Sequence, residues 1–512
     1  MTKGAIAAGH PTTAKAGAEV LRAGGNAYDA AVAALAAACV AEPVLASFGG
    51  GGFLLAAPKS GKPCLYDFFV QTPKRKRPEQ QLEFEPVDCD FGPAVQRFHI
   101  GLGACATPGV LAGMEAVHAE LCKLPLADLL APALEAARDG VAWRRFDDYA
   151  LGVVGPIWRH RPETAAVVSG FSKTQPLRQP LLADFLEETG REGARSFYEG
   201  EPAARLAALC RERGGLLTRA DLAEYRVAKN DPLEVSFAGA RVLITPPPSS
   251  GGLLIAFALQ LAEALGLAEV SDPLERLALL APIMQQTNKA RVDSGLSSVE
   301  DERAEGDAMA RLLDPEFLAV YRERILGADS VSRGTTHISV VDAEGNLAAV
   351  TLSNGEGCGH LLPGTGIHLN NMLGEEDLNP AGFHAWWPDS RMVSMMAPTA
   401  ALLPGGGRLA LGSGGSNRLR TAILQVLLGR LSTGSSLKQA VRASRLHCEG
   451  SKVSFEPGFP EGAAELLARF GEADPWPETS MFFGGEHAVE MESGGQVMAA
   501  ADPRRAGVSL VV

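Results

Sequence analysis

The sequence predicts a layered α/β fold, in the α+β sense of sheets and helices stacked in separate layers. Helix-period and β-rich segments are mixed along all 512 residues. Turns punctuate them through 57 Gly and 33 Pro. A composition of 46% hydrophobic against 21% charged residues is enough to bury a large core.

After His10-Pro11, helical spacing over 12–22 stops at Gly24-Gly25, and Asn26 can cap a second helix that is apolar almost all round. Its run 30–41 falls short of the roughly 18 residues that cross a membrane, so a buried helix is expected. Segments 52–57 and 64–70 read as a strand pair around the turn Pro58-Lys59-Ser60-Gly61. Lys74-Arg75-Lys76-Arg77 reads as a solvated loop, with anion steering or substrate contact as the alternative. From Pro108 to about Val270 the pattern is largely helical, with caps and breaks at Asp139-Gly140, Gly190 and Gly214-Gly215. Within it, 241–245 reads as a strand, and the Pro/Ser/Gly turn 246–252 leads into a helix over 253–265. The polar stretch 293–332 is expected to be exposed or mobile.

Charge and cysteine usage narrow the function. Against 47 Lys and Arg stand 60 Asp and Glu, a formal charge of −13 that repels nucleic-acid phosphates and anionic membranes. Eight scattered Cys form no C-x-x-C pair, so neither a zinc ribbon nor a disulfide framework is expected. The start of the chain lacks a long apolar segment, which makes the cytoplasm the expected location. Neither phosphate-loop pattern occurs, so the glycines 49–52 are expected to serve close backbone packing, and no cofactor is expected. His337 and His360 lack metal-ligand spacing and read as structural. There is no G-x-S-x-G elbow, and Cys358 has no evident partner.

The segments 335–341 and 347–353 are β-rich around Asp342-Ala343-Glu344-Gly345-Asn346. A three-residue loop with Gly345 in the left-handed position pairs 342 with 346. Counting outward sets Thr335 opposite Ser353, where Cβ atoms lie about 4.5–5.5 Å apart and the hydroxyls can meet. At the Gly334-Thr335 junction, the threonine hydroxyl could attack its own preceding carbonyl, giving an ester that water opens. The freed α-amine, with a pKa of about 7.7–8.0, could then act as the general base that a lone threonine lacks. The bland alternative is a Thr-rich strand start without reactivity.

Gly334-Thr335-Thr336-His337, Ser339-Val340-Val341-Asp342 and Gly345-Asn346 closely resemble the processing-site signature of the γ-glutamyltransferase (γ-glutamyltranspeptidase) family of N-terminal-nucleophile hydrolases. Gly24-Gly25-Asn26-Ala27, the glycines 49–52 with Phe53, Thr107-Pro108-Gly109, the turn 246–252 and Asn370-Asn371 follow in the family's order. So do Ser394, Pro398-Thr399, Gly414-Gly415 and Asp502-Pro503-Arg504.

The resemblance implies a four-layer αββα sandwich, cut into a large fragment 1–334 and a small fragment 335–512 that stay together as a heterodimer, possible further oligomers aside. It makes Thr335 the nucleophile, Ser353 its assisting hydroxyl and Gly414-Gly415 the oxyanion donors, with Ser416 as an alternative member of that pair. The implied reaction resembles that of a glutathione hydrolase: a small-molecule amide is cleaved through an acyl-threonine and the acyl group passes to water or an amine. Substrate-binding positions depart from the family's pattern. Phe69 stands where an Arg pairs with the γ-glutamyl carboxylate, leaving Lys74 or Arg75 as substitutes. Gly355 occupies the pocket asparagine's place, so Asn354 serves only if the loop shifts. Glu375 is the candidate amine-binding acid, and the double serine is reduced to Ser394-Met395. An acylase of the same family acting on another acyl group is therefore the alternative, with an uncleaved scaffold as a further one.

Overall fold

Small and β-branched apolar residues fill nearly every position of several strands, a pattern that needs cover on both faces. The computed structural model describes residues 2–90, 95–296, 302–324, 335–379, 381–415 and 417–512. Two antiparallel sheets lie face to face. Across the first run Val508–Val511, Gly4–Ala8, Thr336–Asp342, Leu347–Ser353, Gly51–Ala57, Cys64–Phe68 and Ala228–Asn230. Across the second run Val497–Ala501, Gly485–Met491, Arg408–Gly414, Thr399–Leu402, Ala240–Ile244 and Leu233–Phe237. Each sheet takes strands from both sides of residue 335.

Alternation along the strands divides the core in two. Ile338, Val340, Ala348, Val350 and Leu352 pack with the helices Pro11–Arg22 and Ala27–Ala41. Val341, Leu347 and Ala349 belong to the other core, with Leu409, Leu411, Val489 and the helices Ser250–Ala264 and Asn417–Ser432. The stacking order is helix, sheet, sheet, helix, the αββα arrangement. Where the sheets approach, a Cβ on Gly412 would lie 2.4 Å from the His337 ring, so only glycine fits there.

Local chemistry explains the element ends. The Asn26 side chain accepts from the Tyr28 and Asp29 N–H groups while Asp29 accepts from Asn26, a reciprocal cap on a helix buried along its whole length. Ser249 caps the helix Ser250–Ala264, whose start precedes the expected residue 253. Glycines occupy its first turn because Cβ atoms on Gly251 and Gly252 would strike the Met395 and Thr245 carbonyls at 2.0 and 1.9 Å.

Two expectations change. Gly190 interrupts nothing; it lies inside the helix Pro180–Glu192, which ends at Gly193 with φ 86°. Much of the polar stretch 293–332 is helical, as Glu302–Leu312 and Pro315–Arg324, with Met309, Leu312 and Tyr321 buried in the core. Strands Gly4–Ala8 and Val508–Val511 at the two ends of the chain were not anticipated. Gly334 lies outside the described residues, as does the rest of 325–334. Among the described residues no helix is long and apolar enough to cross a membrane.

Candidate active site

The hairpin has the register that its loop length implies. Leu347 pairs with Val341 and Leu352 with Thr336, so the next step along the same ladder sets Thr335 beside Ser353. Gly345, at φ 89°, closes the loop. Asp342 organises it: Oδ1 accepts from the Glu344 and Asn346 N–H groups, and Oδ2 accepts from Asn346 Nδ2 and from the Ala27 N–H that opens the buried helix.

Thr335 and Ser353 are buried to 4% and 7% exposure and line one cleft. Strand alternation sends their side chains to the face shared with His337 and Thr351, between the sheets. Thr336 points the other way and donates to Glu42 at 2.8 Å. The Ser353 hydroxyl accepts from the Gly355 N–H at 3.0 Å, which fixes its orientation.

Gly414 ends the strand Arg408–Gly414 beside Thr335, and Gly415 follows it. A Cβ on Gly414 would lie 1.9 Å from the Thr335 carbonyl oxygen, so this approach requires glycine. Gly415 has φ 126° and precedes the helix Asn417–Ser432, whose N-terminus favours negative charge. Ser416 lies outside the described residues. The arrangement can stabilise an oxyanion on a carbonyl attached to the threonine.

The glycines 49–52 are packing residues: Cβ atoms there would sit 2.3 to 2.6 Å from backbone atoms of His368, Ser353, Val70 and Thr351. The Pro/Ser/Gly turn braces the pocket wall, since Ser249 and Ser250 donate to the Ser394 carbonyl and Ser249 also to that of Met396. Asn370 holds the Gly49 and Ala106 carbonyls, and Asn371 accepts from the Glu356 and Gly357 N–H groups. These motifs build the walls.

The rest of the cleft is mostly apolar: Phe69, Met372, Leu378, Met395, Met396 and Leu419, with Ser394 and the carboxylates of Glu375 and Asp377. No Lys or Arg lines it among the described residues. Phe69 stacks on Phe53 at 5.6 Å. Asp67, two residues earlier, faces Arg391 at 3.5 Å, yet burial dominates and raises its carboxyl pKa. Neither Lys74 nor Arg75 replaces the missing arginine, because Lys74 is engaged by Glu224 at 3.0 Å and Asp389 at 2.6 Å and neither residue lines the cleft. The basic run is a clamp more than a solvated loop: Lys76 donates to the His384 carbonyl and Arg77 to those of Cys210 and Gly215. Asn354 does not line the cleft; it is buried, with both amide atoms lacking partners among the described residues.

His337 bridges Thr351 and Ser339, and burial depresses its pKa well below the usual histidine range. His360 meets Glu83 at 2.8 Å. Cys358 is buried beside Cys105, whose thiol pKa is raised, first by the contact with Cys358 and then by burial. No group of three metal-ligating side chains occurs among the described residues.

Sequence reasoning missed Met372, Asp377, Leu378, Met396 and Leu419 in the cleft, and Arg505, which donates to the Thr335 carbonyl at 2.8 Å. Arg505 directly follows the Asp502-Pro503-Arg504 motif; the apolar residues carry no local signal.

Comparisons place this architecture. The γ-glutamyltranspeptidase family model matches residues 13–512. An acylase ACY 1 proenzyme of Pseudomonas sp. (strain SE83) is 29% identical, over 100% of this chain and 94% of the relative. A glutathione hydrolase proenzyme of Pseudomonas aeruginosa is 31% identical, over 99% and 94%. Among solved structures, a cephalosporin acylase from Bacillus halodurans superposes with a TM-score of 0.83 over 99% of this chain and 96% of that one, at 24% identity, and shares the fold. The chain belongs to the γ-glutamyltranspeptidase family and is an enzyme of its N-terminal-nucleophile hydrolase type.

Proposed function

We propose that this chain cuts itself at Gly334-Thr335 and then cleaves small-molecule amides through an ester on Thr335, with an acyl group more apolar than γ-glutamyl. The new α-amine takes the Thr335 hydroxyl proton as Oγ1 attacks the amide carbonyl. The oxyanion is held by the N–H groups of Gly414 and Gly415, and removal of one such donor typically costs about 2.7–4 kcal/mol. Collapse breaks the C–N bond, the departing amine takes the proton from the α-ammonium, and water or an acceptor amine releases the acyl group by the same steps. Ser353 orients the nucleophile. Fragments 1–334 and 335–512 would stay associated, since both sheets take strands from each.

The observation that carries the acyl preference is the lining of the Thr335 cleft, where Phe69 and Met395 stand among Met372, Leu378 and Leu419. A carboxylate there would forgo charge-assisted bonds. The names of the relatives, acylase and glutathione hydrolase, fit either acyl class. γ-Glutamyl hydrolysis or transfer is the second reading, favoured by Glu375 and Asp377, which can hold an α-ammonium.

Mass spectrometry of the purified protein should find two fragments meeting at 334/335, and Thr335→Ala should leave one inactive chain; an intact active chain would sink the proposal. Wild type should turn over simple acyl p-nitroanilides faster than γ-glutamyl-p-nitroanilide, and Phe69→Arg should shift the ratio toward the latter. The reverse preference in wild type establishes the second reading.

A further inference from the structure

We propose that Arg505 is a positioning residue for the nucleophile: its guanidinium grips the Thr335 carbonyl and fixes a positive charge beside the α-amine that cleavage exposes. The inference rests on the reading of Thr335 as nucleophile.

Arg505 is 5% exposed, and its Nη1 donates to the Thr335 carbonyl at 2.8 Å. Glycines make room for it. Cβ atoms on Gly414 and Gly415 would begin 3.0 and 3.2 Å from its Nη1 and Nη2, and one on Gly485 would lie 2.4 Å from its Cδ. The neighbouring arginines are spent elsewhere: Arg504 on Glu456 and Asp502, Arg445 on Asp502 and the Phe483 and Val441 carbonyls. Arg505 has no carboxylate within ion-pair distance among the described residues, and its Nε has no partner there. A buried, unpaired guanidinium is costly. Here it is aimed at the one residue whose chemistry depends on a nearby amine.

Within one residue the carbonyl oxygen and nitrogen are about 3 Å apart, so the guanidinium lies on the order of 5 Å from the Thr335 nitrogen. A like charge at that range disfavours protonation of the amine and keeps more of it in the basic form near neutral pH. Several groups face this pair. Asp502 on the same turn, Glu356 after the hairpin, Glu42 at the end of the buried helix and Tyr149 act on Arg505, as does Arg418 from the helix Asn417–Ser432. Glu375 and Asp377 share the Thr335 cleft. These carboxylates oppose the guanidinium, so the expected displacement is about one pH unit, the low end of the range for a close charge.

The test compares Arg505→Gln and Arg505→Lys in the full processed enzyme, with rates on an acyl p-nitroanilide expressed per processed chain. Arg505→Gln should lower kcat about tenfold or more through loss of alignment, leave KM nearly unchanged, and move the acid limb of kcat/KM up by about one pH unit. Arg505→Lys should keep the limb in place and recover part of kcat. An unmoved limb in Arg505→Gln, or identical behaviour of the two variants, overturns the inference. If Arg505→Gln yields no processed chain, the lysine variant decides: a displaced limb or a wild-type kcat overturns it, and a lowered kcat on an unmoved limb supports it. Amide cleavage that survives Thr335→Ala instead overturns the nucleophile reading itself.

Discussion

Gly414→Ala is the smallest change that should disable this site. The added Cβ would lie 1.9 Å from the Thr335 carbonyl oxygen and 3.0 Å from Arg505 Nη1. Carbon and oxygen ordinarily approach to about 3.3 Å, so a gap of roughly 1.4 Å must open between the strand end at 414 and Thr335. Both partners resist. Thr335 continues a ladder buried between Gly4–Ala8 and Leu347–Ser353, and Gly414 pairs with Gly485 at the end of its own strand. A displacement of about 1 Å between reacting groups can cost on the order of 10²-fold in rate, or about 2.7 kcal/mol of barrier. On the proposed mechanism self-cleavage and amide turnover draw on the same contact, so Gly414→Ala should accumulate uncut precursor and lower kcat of any processed fraction by about 10²-fold or more. Fragment ratios on a denaturing gel and single-turnover rates measure the two effects. Gly152→Ala, in a helix with nothing near the new methyl, is the control and should behave as wild type. Wild-type processing and kcat in Gly414→Ala would falsify the claim that the strand end at 414 sets the nucleophile's position.

Other outcomes follow from buried charge. Glu486 is held up to about 8, mainly by burial, against about 4.3 unfolded. A raised carboxyl binds its proton more tightly in the folded state, so its contribution is full at low pH and is lost as pH rises from about 4.3 through 8. Glu486→Gln should therefore gain a few kcal/mol relative to wild type at pH 8 and little at pH 4.5 in urea unfolding; equal differences at both pH values would contradict the assignment. His487 and His368 are pressed down to about 4 and about 3 by burial, so their contribution is full above about 6.5 and is lost as pH falls through that value toward 3–4. Each should cost about 2 kcal/mol between pH 7 and pH 5, a loss that replacement of His368 by Gln should reduce and that a pH-independent difference between wild type and variant would rule out. Asp342→Ala removes the acceptor of four hydrogen bonds and should lower stability by roughly 3 kcal/mol or more, read as a fall in Tm with reduced self-cleavage; an unchanged Tm would show that the hairpin holds without it.

What sequence could reveal here was set by the range over which each feature is encoded. The hairpin was legible because loop length and Gly345 fix its register within a dozen residues, and the ladder then delivers Thr335 beside Ser353. The cap at Asn26 and the turn at 246–252 were legible for the same reason. Gly190 misled because a single helical glycine is tolerated when the helix is held by tertiary packing, and Gly193 was the true stop. The helices within 293–332 were hidden by their polar outer faces, although Met309, Leu312 and Tyr321 supply a buried stripe. Strand Gly4–Ala8, only five residues long, finds its partners more than 300 residues away, beyond any local pattern.

The same distinction separates the two halves of the site. Acyl transfer from an amide demands particular backbone geometry: a hydroxyl at a strand start, a glycine where another strand end meets it, an N–H pair at a helix N-terminus. Each demand admits few residues and so leaves a mark in the sequence. The proposed acyl pocket demands only shape and polarity, and its wall is assembled from Phe69, Met372, Leu378, Met395 and Leu419, which lie on separate stretches of the chain. Any of these could be replaced by another apolar residue of similar volume at small cost to the fold. A family built this way can hold its reaction constant while its substrate drifts, because substitutions in the wall change what is bound without touching the Thr335–Gly414 contact. Wall substitutions such as Met395→Ser should accordingly alter the ranking of acyl substrates while self-cleavage proceeds at the wild-type rate. A wall variant that slowed self-cleavage as strongly as substrate turnover would show that the two halves are mechanically one.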